Sequence, residues 1–226
     1  MQLMDLTAKR ILVTQADDFM GPALCDTLAQ LGAHVVRDTR PLIDPPAAAM
    51  AVRDAGRVDA LIANLALPAP RSPVQAATEE EWRDTFAWLV DPLPRLVRAV
   101  LPQMIERKSG KILLMGSASA LRGMKLGSTY SAARGAQLAY IQAAGVELAP
   151  HSIQANAIAQ NFVENPTYYP PQVQANVKFQ ERMRREVPLG RLVRAQEDAL
   201  FAAYLCSDAA DCFVGQIFPM CGGWAT

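Results

Sequence analysis

The sequence predicts an α/β fold, a Rossmann-like doubly wound parallel sheet of about seven strands with helices on both faces. Three observations carry this prediction. Short aliphatic runs alternate with longer helical patterns, those runs are apolar throughout instead of alternating with polar residues, and no repeat, linker or low-complexity tract interrupts them. Parallel strands covered on both sides by crossover helices have this signature, because neither face of the sheet meets water.

The elements follow in order. Residues 10–14 (Arg-Ile-Leu-Val-Thr) open as a strand, and residues 21–31 carry a helical pattern into a second strand at 33–37. Leu42 and Ile43 form a weak further strand, crowded by Pro41, Pro45 and Pro46. A strand at 58–63 leads into a Pro/Ala stretch at 67–73, read as a loop over the carboxyl ends of the strands. Thr78-Glu-Glu-Glu81 is a capping-box signature for a helix over 78–89, and a second helix covers 92–107. Strand 111–115, helix 128–149 and strand 152–158 continue the alternation. Residues 162–171 combine aromatics with prolines as a stiff loop, before helices at 172–186 and 195–206 and a last strand at 216–220. Residues 1–226 are expected to form one domain.

Composition narrows the function. Of 226 residues 51% are hydrophobic, enough for a full core, yet no run is long enough to span a membrane. The 22 Lys and Arg balance 22 Asp and Glu, so no global field gathers nucleic acid or an anionic membrane, and a small neutral molecule is the expected partner. Residues 1–9 lack the pattern of a secretory leader, which points to the cytoplasm. Cys25, Cys206, Cys212 and Cys221 have no Cys-x-x-Cys spacing and are expected to be reduced core thiols. With only His34 and His151 beside them, no metal is expected. The Lys178–Arg194 segment is basic but balanced by Glu181 and Glu186, the pattern of a solvated helix.

Three residues form a candidate acid/base set. Tyr130 and Arg134 stand four apart on one predicted helix and share a face; Ser117 closes the preceding strand. A phenol with a reference pKa of about 10 is a poor base at neutral pH, and a permanently charged guanidinium beside it favours the phenolate. Tyr130 then takes a proton from a substrate hydroxyl whose oxygen Ser117 holds, with Arg134 lowering the tyrosine pKa. Ser119 is read as structural. No serine has glycine at both −2 and +2, which removes a nucleophile elbow.

The short-chain dehydrogenase/reductase family reads Ser, then Tyr-x-x-x-Lys, and opens with Thr-Gly-x-x-x-Gly-x-Gly. Here Tyr130-Ser-Ala-Ala-Arg134 replaces the lysine, and Thr14-Gln-Ala-Asp-Asp-Phe-Met-Gly21 lacks the first two glycines, with Gln15 and Phe19 in their places. In this combination the chain resembles the halohydrin dehalogenases, cofactor-independent relatives of that family. The resemblance runs from residue 10 to the Gly222-Gly223-Trp224 tail. It implies no nicotinamide cofactor and a carbon–halogen lyase that converts vicinal halohydrins to epoxides plus halide and opens epoxides with small anions. It also implies a halide pocket where nicotinamide would sit, formed by Phe19 and by Gln160-Asn161-Phe162-Val163, with Tyr169 closing it. Gln160 departs from the family's frequent proline.

Asp38 lies where such folds carry a ribose-binding acid and is not assigned to a cofactor. The alternative reading is an NAD(P)-dependent short-chain reductase with a divergent loop. A non-catalytic scaffold is disfavoured by the intact acid/base set. Small residues on the 128–149 helix, with the 92–107 helix, predict a homotetramer.

Overall fold

In the computed structural model, which describes residues 4–226, six parallel strands form one sheet in the order β2-β1-β3-β4-β5-β6. Met1–Leu3, part of the stretch read for a leader, lie outside the described residues. The strands are β1 (Arg10–Val13), β2 (His34–Arg37), β3 (Ala60–Ala63), β4 (Gly110–Ser117), β5 (Ile153–Gln160) and β6 (Ile217–Met220). Six strands replace the predicted seven. Leu42 and Ile43 pair with nothing in the sheet, and the chain instead enters a helix, α2 (Pro45–Ala55), that the prolines had hidden. Proline is disruptive inside a helix but suits its first turn, where φ is preset and the missing N–H had no partner to lose.

The other helices are α1 (Gly21–Gln30), α3 (Glu79–Leu89), α4 (Pro92–Arg107), α5 (Ser128–Leu148), α6 (Pro171–Gln174), α7 (Val177–Glu186) and α8 (Ala195–Cys206). Thr78 caps α3 by accepting from the Glu81 amide at 3.1 Å. The helix predicted over 172–186 is divided at Asn176, whose side chain accepts from the Phe179 amide and begins α7 anew.

Strand alternation survives inside the apolar runs. Leu12, Leu61, Ile112 and Leu114 face a layer built by α2, α4 and α5, whereas Ile11, Val13, Ile62 and Leu113 face α1 and α8. Each side chain so buried contributes about 1.5–3 kcal/mol. Both faces being covered, every strand position must be apolar, which is why the sequence shows runs and not a period of two.

Three of the four cysteines are buried, but Cys212 is exposed at the turn before β6, against the expectation of four core thiols. No helix among the described residues is long and apolar enough to cross a membrane.

Two features aim the sheet at the site. β4 and β5 are eight residues each and pair along their full length, so Ser117 lies beside Gln160 at their carboxyl ends. At the β1 end, Gly21 starts α1 directly against the preceding loop: a Cβ there would meet the Gln15 carbonyl oxygen at 2.4 Å and Ala16 at 2.6 Å. Because both obstacles are backbone, Gly21→Ala is expected to cost roughly 2–3 kcal/mol by forcing helix and loop apart. Urea unfolding measures this as a lower midpoint at unchanged slope; an unmoved midpoint contradicts it.

Candidate functional site

The predicted acid/base residues converge at the carboxyl ends of β3 and β4. Tyr130 and Arg134 project from α5 and are buried, with 7% and 3% exposure, and Ser117 ends β4 at 8%. The Ser117 hydroxyl lies 3.0 Å from that of Ser119 and accepts the Ser119 amide at 3.2 Å. The Arg134 guanidinium lies over the Tyr130 ring, 5.1 Å from its centroid. Its Nη1 donates to the carbonyls of Leu65 (2.8 Å) and Met115 (3.3 Å) and to Oε1 of Gln137 (2.9 Å), while its Nε has no partner. Gln137 in turn donates to Leu89 O at the end of α3. No carboxylate among the described residues pairs with this cation.

The β1–α1 turn is closed by its own side chains. The Gln15 carboxamide accepts from the Ala66 amide (2.6 Å) and donates to the Ala66 carbonyl (3.1 Å), tying the turn to the loop after β3. Asn64 donates to the carbonyls of Gln15 (3.0 Å) and Asp18 (3.1 Å) from the same side. Phe19 stands in this turn with its ring 5.6 Å from that of Tyr168.

A dinucleotide needs amides of this turn free to face its pyrophosphate, and glycines to let it approach. It also uses a free carboxylate for the ribose. Here the Gln15 side chain bridges the turn to the next loop, Phe19 projects from it, and Asp38 is held by Arg40 at 2.6 Å. These residues do not fit a nicotinamide dinucleotide.

The loop after β5 carries the other residues predicted for the pocket, and Gln160, Asn161, Phe162 and Val163 are not among the walls of the cavity that Phe19 and Tyr169 line. The Gln160 carboxamide donates to the buried Asp198 of α8 at 2.6 Å, so its side chain is engaged with α8. Asn161 accepts the Phe162 amide at 2.9 Å, and Phe162 takes a left-handed backbone at φ 51°. Val163 bridges Val193 in parallel.

The Phe162 ring lies 6.2 Å from Tyr169 and 6.2 Å from Trp224, with the Arg182 guanidinium 5.7 Å from its centroid. Burial pushes the Tyr169 phenol up to about 12, which keeps it neutral. Phe19 and Tyr169 also line a 350 Å³ cavity with Pro22, Glu164 and Pro171. Ser117 and Tyr130 are not among its walls.

Sequence reasoning missed Tyr168. Its hydroxyl donates to the Leu67 carbonyl (2.9 Å) and accepts the Ala69 amide (2.8 Å), and its surroundings include Tyr130. The adjacent pair Tyr168-Tyr169 was visible, but which of them reaches the segment after β3 depends on the fold of the loop.

Residues 45–225 match the family model described as enoyl-(acyl carrier protein) reductase. The chain belongs to the short-chain dehydrogenase/reductase superfamily. A solved structure described as "Dehalogenation enzyme" is 32% identical, with a TM-score of 0.90 and coverage of 98% of this chain and 100% of that one. Another, halohydrin dehalogenase HheC bound to ethyl (2S)-oxiran-2-ylacetate, is 27% identical with a TM-score of 0.86, covering 96% and 97%. Among curated proteins, the uncharacterized oxidoreductase YmfI of Bacillus subtilis is 37% identical over 129 residues, 57% of this chain. The chain spans about half the length of that relative, 52%.

Asp198 makes the β5 loop sensitive to pH. One carboxyl oxygen meets Gln160, the other has no partner, and burial raises the group to about 7. The folded protein therefore holds a proton that the unfolded chain releases near 3.8. Stability from this group is complete below that unfolded value and is lost as pH rises through about 7, a change on the order of 4 kcal/mol. Asp198→Asn is expected to flatten the dependence of Tm on pH between about 4 and about 8 and to exceed the wild type at the upper end. Parallel Tm–pH curves for the two proteins contradict this.

Proposed function

We propose that this member of the short-chain dehydrogenase/reductase superfamily is a carbon–halogen lyase, converting vicinal halohydrins to epoxides, halide and a proton without a nicotinamide cofactor. One observation supports the reading: Arg134 lies buried over the Tyr130 ring beyond the strand that Ser117 closes, while the Gln15 side chain ties the β1–α1 turn to the next loop and Phe19 stands in that turn. The similarity to two dehalogenase structures supports it.

Ser117 holds the substrate oxygen and Tyr130 removes its proton. The resulting oxyanion attacks the neighbouring carbon, forming the C–O bond of the epoxide as the C–halogen bond breaks and the halide leaves with the electron pair. The proton passes from Tyr130 to solvent. Arg134 supplies a buried positive charge with no carboxylate to cancel it, which stabilises negative charge on the phenol oxygen during transfer.

Phe19, Asn161, Phe162 and Val163 form the wall that receives the halide, and Tyr169 closes it. Gln160 shapes this wall through its backbone alone. In reverse, a small anion from the same pocket opens an epoxide and Tyr130 returns the proton. We further propose that the chain acts in the cytoplasm as one domain within a homotetramer. The helix face of Ala132, Ala139, Ala143 and Val146 is exposed and is what such an assembly covers.

The second reading, an NAD(P)-dependent reductase, is favoured by the description of the matching family model and by the oxidoreductase relative. One experiment separates the two. Halide release from a small brominated or chlorinated propanol is measured with no nicotinamide present. The expected result is equal release of halide and proton, lost by several orders of magnitude in Tyr130→Phe. Retention of more than about a tenth of the rate removes Tyr130 as the base.

Bromide is expected to inhibit and to raise Tm by mass action, less so in Phe19→Ala, while NADH does neither. Micromolar NADH or NADPH binding, with no halide effect beyond a general salt control, replaces the lyase reading with the reductase one.

A further inference from the structure

Two phenols meet at the segment that follows β3. Tyr168, from the loop after β5, is fastened there by its hydroxyl, which donates to the Leu67 carbonyl at 2.9 Å and accepts the Ala69 amide at 2.8 Å. Its ring is held 5.6 Å from Phe19 and 6.2 Å from Tyr169. Tyr130 packs on the same segment, in a cluster that includes Leu67 and Ala69, which brings the two phenols to one stretch of chain.

The two hydroxyls are not equivalent. Burial raises the Tyr168 phenol far above its ordinary value, and Tyr130 beside it raises it further. Tyr168 is thus the partner that keeps its proton. A phenol oxygen has one hydrogen to donate and two lone pairs to accept with. With the Ala69 amide on one lone pair, Tyr168 has a second for the Tyr130 O–H while that group is protonated. Once Tyr130 is ionised, the Tyr168 hydrogen has two competing acceptors, the Leu67 carbonyl and a charged oxygen. Charge-assisted hydrogen bonds are about twice as strong as neutral ones, so the charged oxygen wins. Leu67 is only half-buried, so water can take the place of the lost donor.

We infer that Tyr168 is a positioning residue for Tyr130: a neutral phenol anchored on Leu67 and Ala69, whose O–H turns to donate to the Tyr130 oxygen once that oxygen has given up its proton. No proton leaves Tyr168 in this motion; only its direction changes. The inference rests on the reading of Tyr130 as the base. The other charged or titratable groups around the pair are Arg134, over the Tyr130 ring at 5.1 Å, and Tyr169, which is influenced in turn by Arg182 and Arg71. None of these supplies a second hydroxyl held on the Leu67–Ala69 segment.

Tyr168→Phe keeps the ring and its contacts and removes only the hydroxyl. The readout is an NMR titration of protein labelled at the oxygen-bearing tyrosine ring carbon, with Tyr130→Phe assigning the Tyr130 signal among the five tyrosines. The expected result is an upward move of the Tyr130 midpoint by about one pH unit. Halide release should fall about tenfold at neutral pH and recover in alkali, with KM nearly unchanged.

Tyr169→Phe is the comparison, because no hydrogen bond fastens the Tyr169 hydroxyl to the Leu67–Ala69 segment among the described residues, and it should move the Tyr130 midpoint by much less than Tyr168→Phe does. A Tyr130 midpoint that does not move in Tyr168→Phe, or a rate loss uniform across pH, overturns the inference. The titration needs no turnover. A shifted midpoint in a protein that releases no halide keeps the Tyr168–Tyr130 pairing and overturns the lyase reading instead.

Discussion

The buried cation of Arg134 is the constraint on which the rest of the site depends. A guanidinium 3% exposed and without a carboxylate must find its hydrogen bonds in the backbone, and it finds them at the carboxyl ends of β3 and β4. Gln137 extends the connection to the end of α3. One side chain therefore fixes the spacing between two strand ends, α3 and α5, and holds the Tyr130 ring against its own face. A lysine carries a point charge on a flexible stem and lacks the planar group that here lies over the Tyr130 ring.

Around this anchor the loops are strained in a consistent way. Gln15 (φ 43°), Phe19 (φ 49°) and Phe162 (φ 51°) take the left-handed backbone that disfavours residues with a Cβ. Two of them fill the turn where the superfamily's motif has glycine, and the third lies in the loop after β5. Such strain persists only where surroundings over-determine it. Here the Gln15–Ala66 fork, the Asn64 bonds and the Phe162–Tyr169–Trp224 aromatic group do so. The glycine conformation has been kept while the glycine has not. The same backbone thus carries side chains where the superfamily's motif has glycine.

The comparisons divide along this line. Over most of its length the chain has the pattern of a reductase family, because the sheet and the tyrosine helix are shared by both chemistries. The difference lies in a few residues at the strand ends, and fold alone does not carry activity. The solved dehalogenases resemble the chain over nearly its full length in shape.

The sequence by itself determined the six observed strands to within about two residues, most helices, and the placing of Tyr130 and Arg134 on one helix with Ser117 at the end of the preceding strand. Those depend on local periodicity and on the rule that strand ends gather at one edge of a parallel sheet. It did not show that Pro45 and Pro46 start a helix, because proline reads the same in a turn and in a first helical turn. Nor did it show that Gln160 turns toward Asp198, or that Tyr168, next to Tyr169, is the phenol fastened to the Leu67–Ala69 segment. Each of these is settled by a partner distant in sequence: Asp198 lies 38 residues beyond Gln160, and Leu67 lies 101 residues before Tyr168. Local pattern fixes where a backbone runs, but the direction of a polar side chain follows from the buried partner it must satisfy, and only the tertiary structure brings that partner into reach.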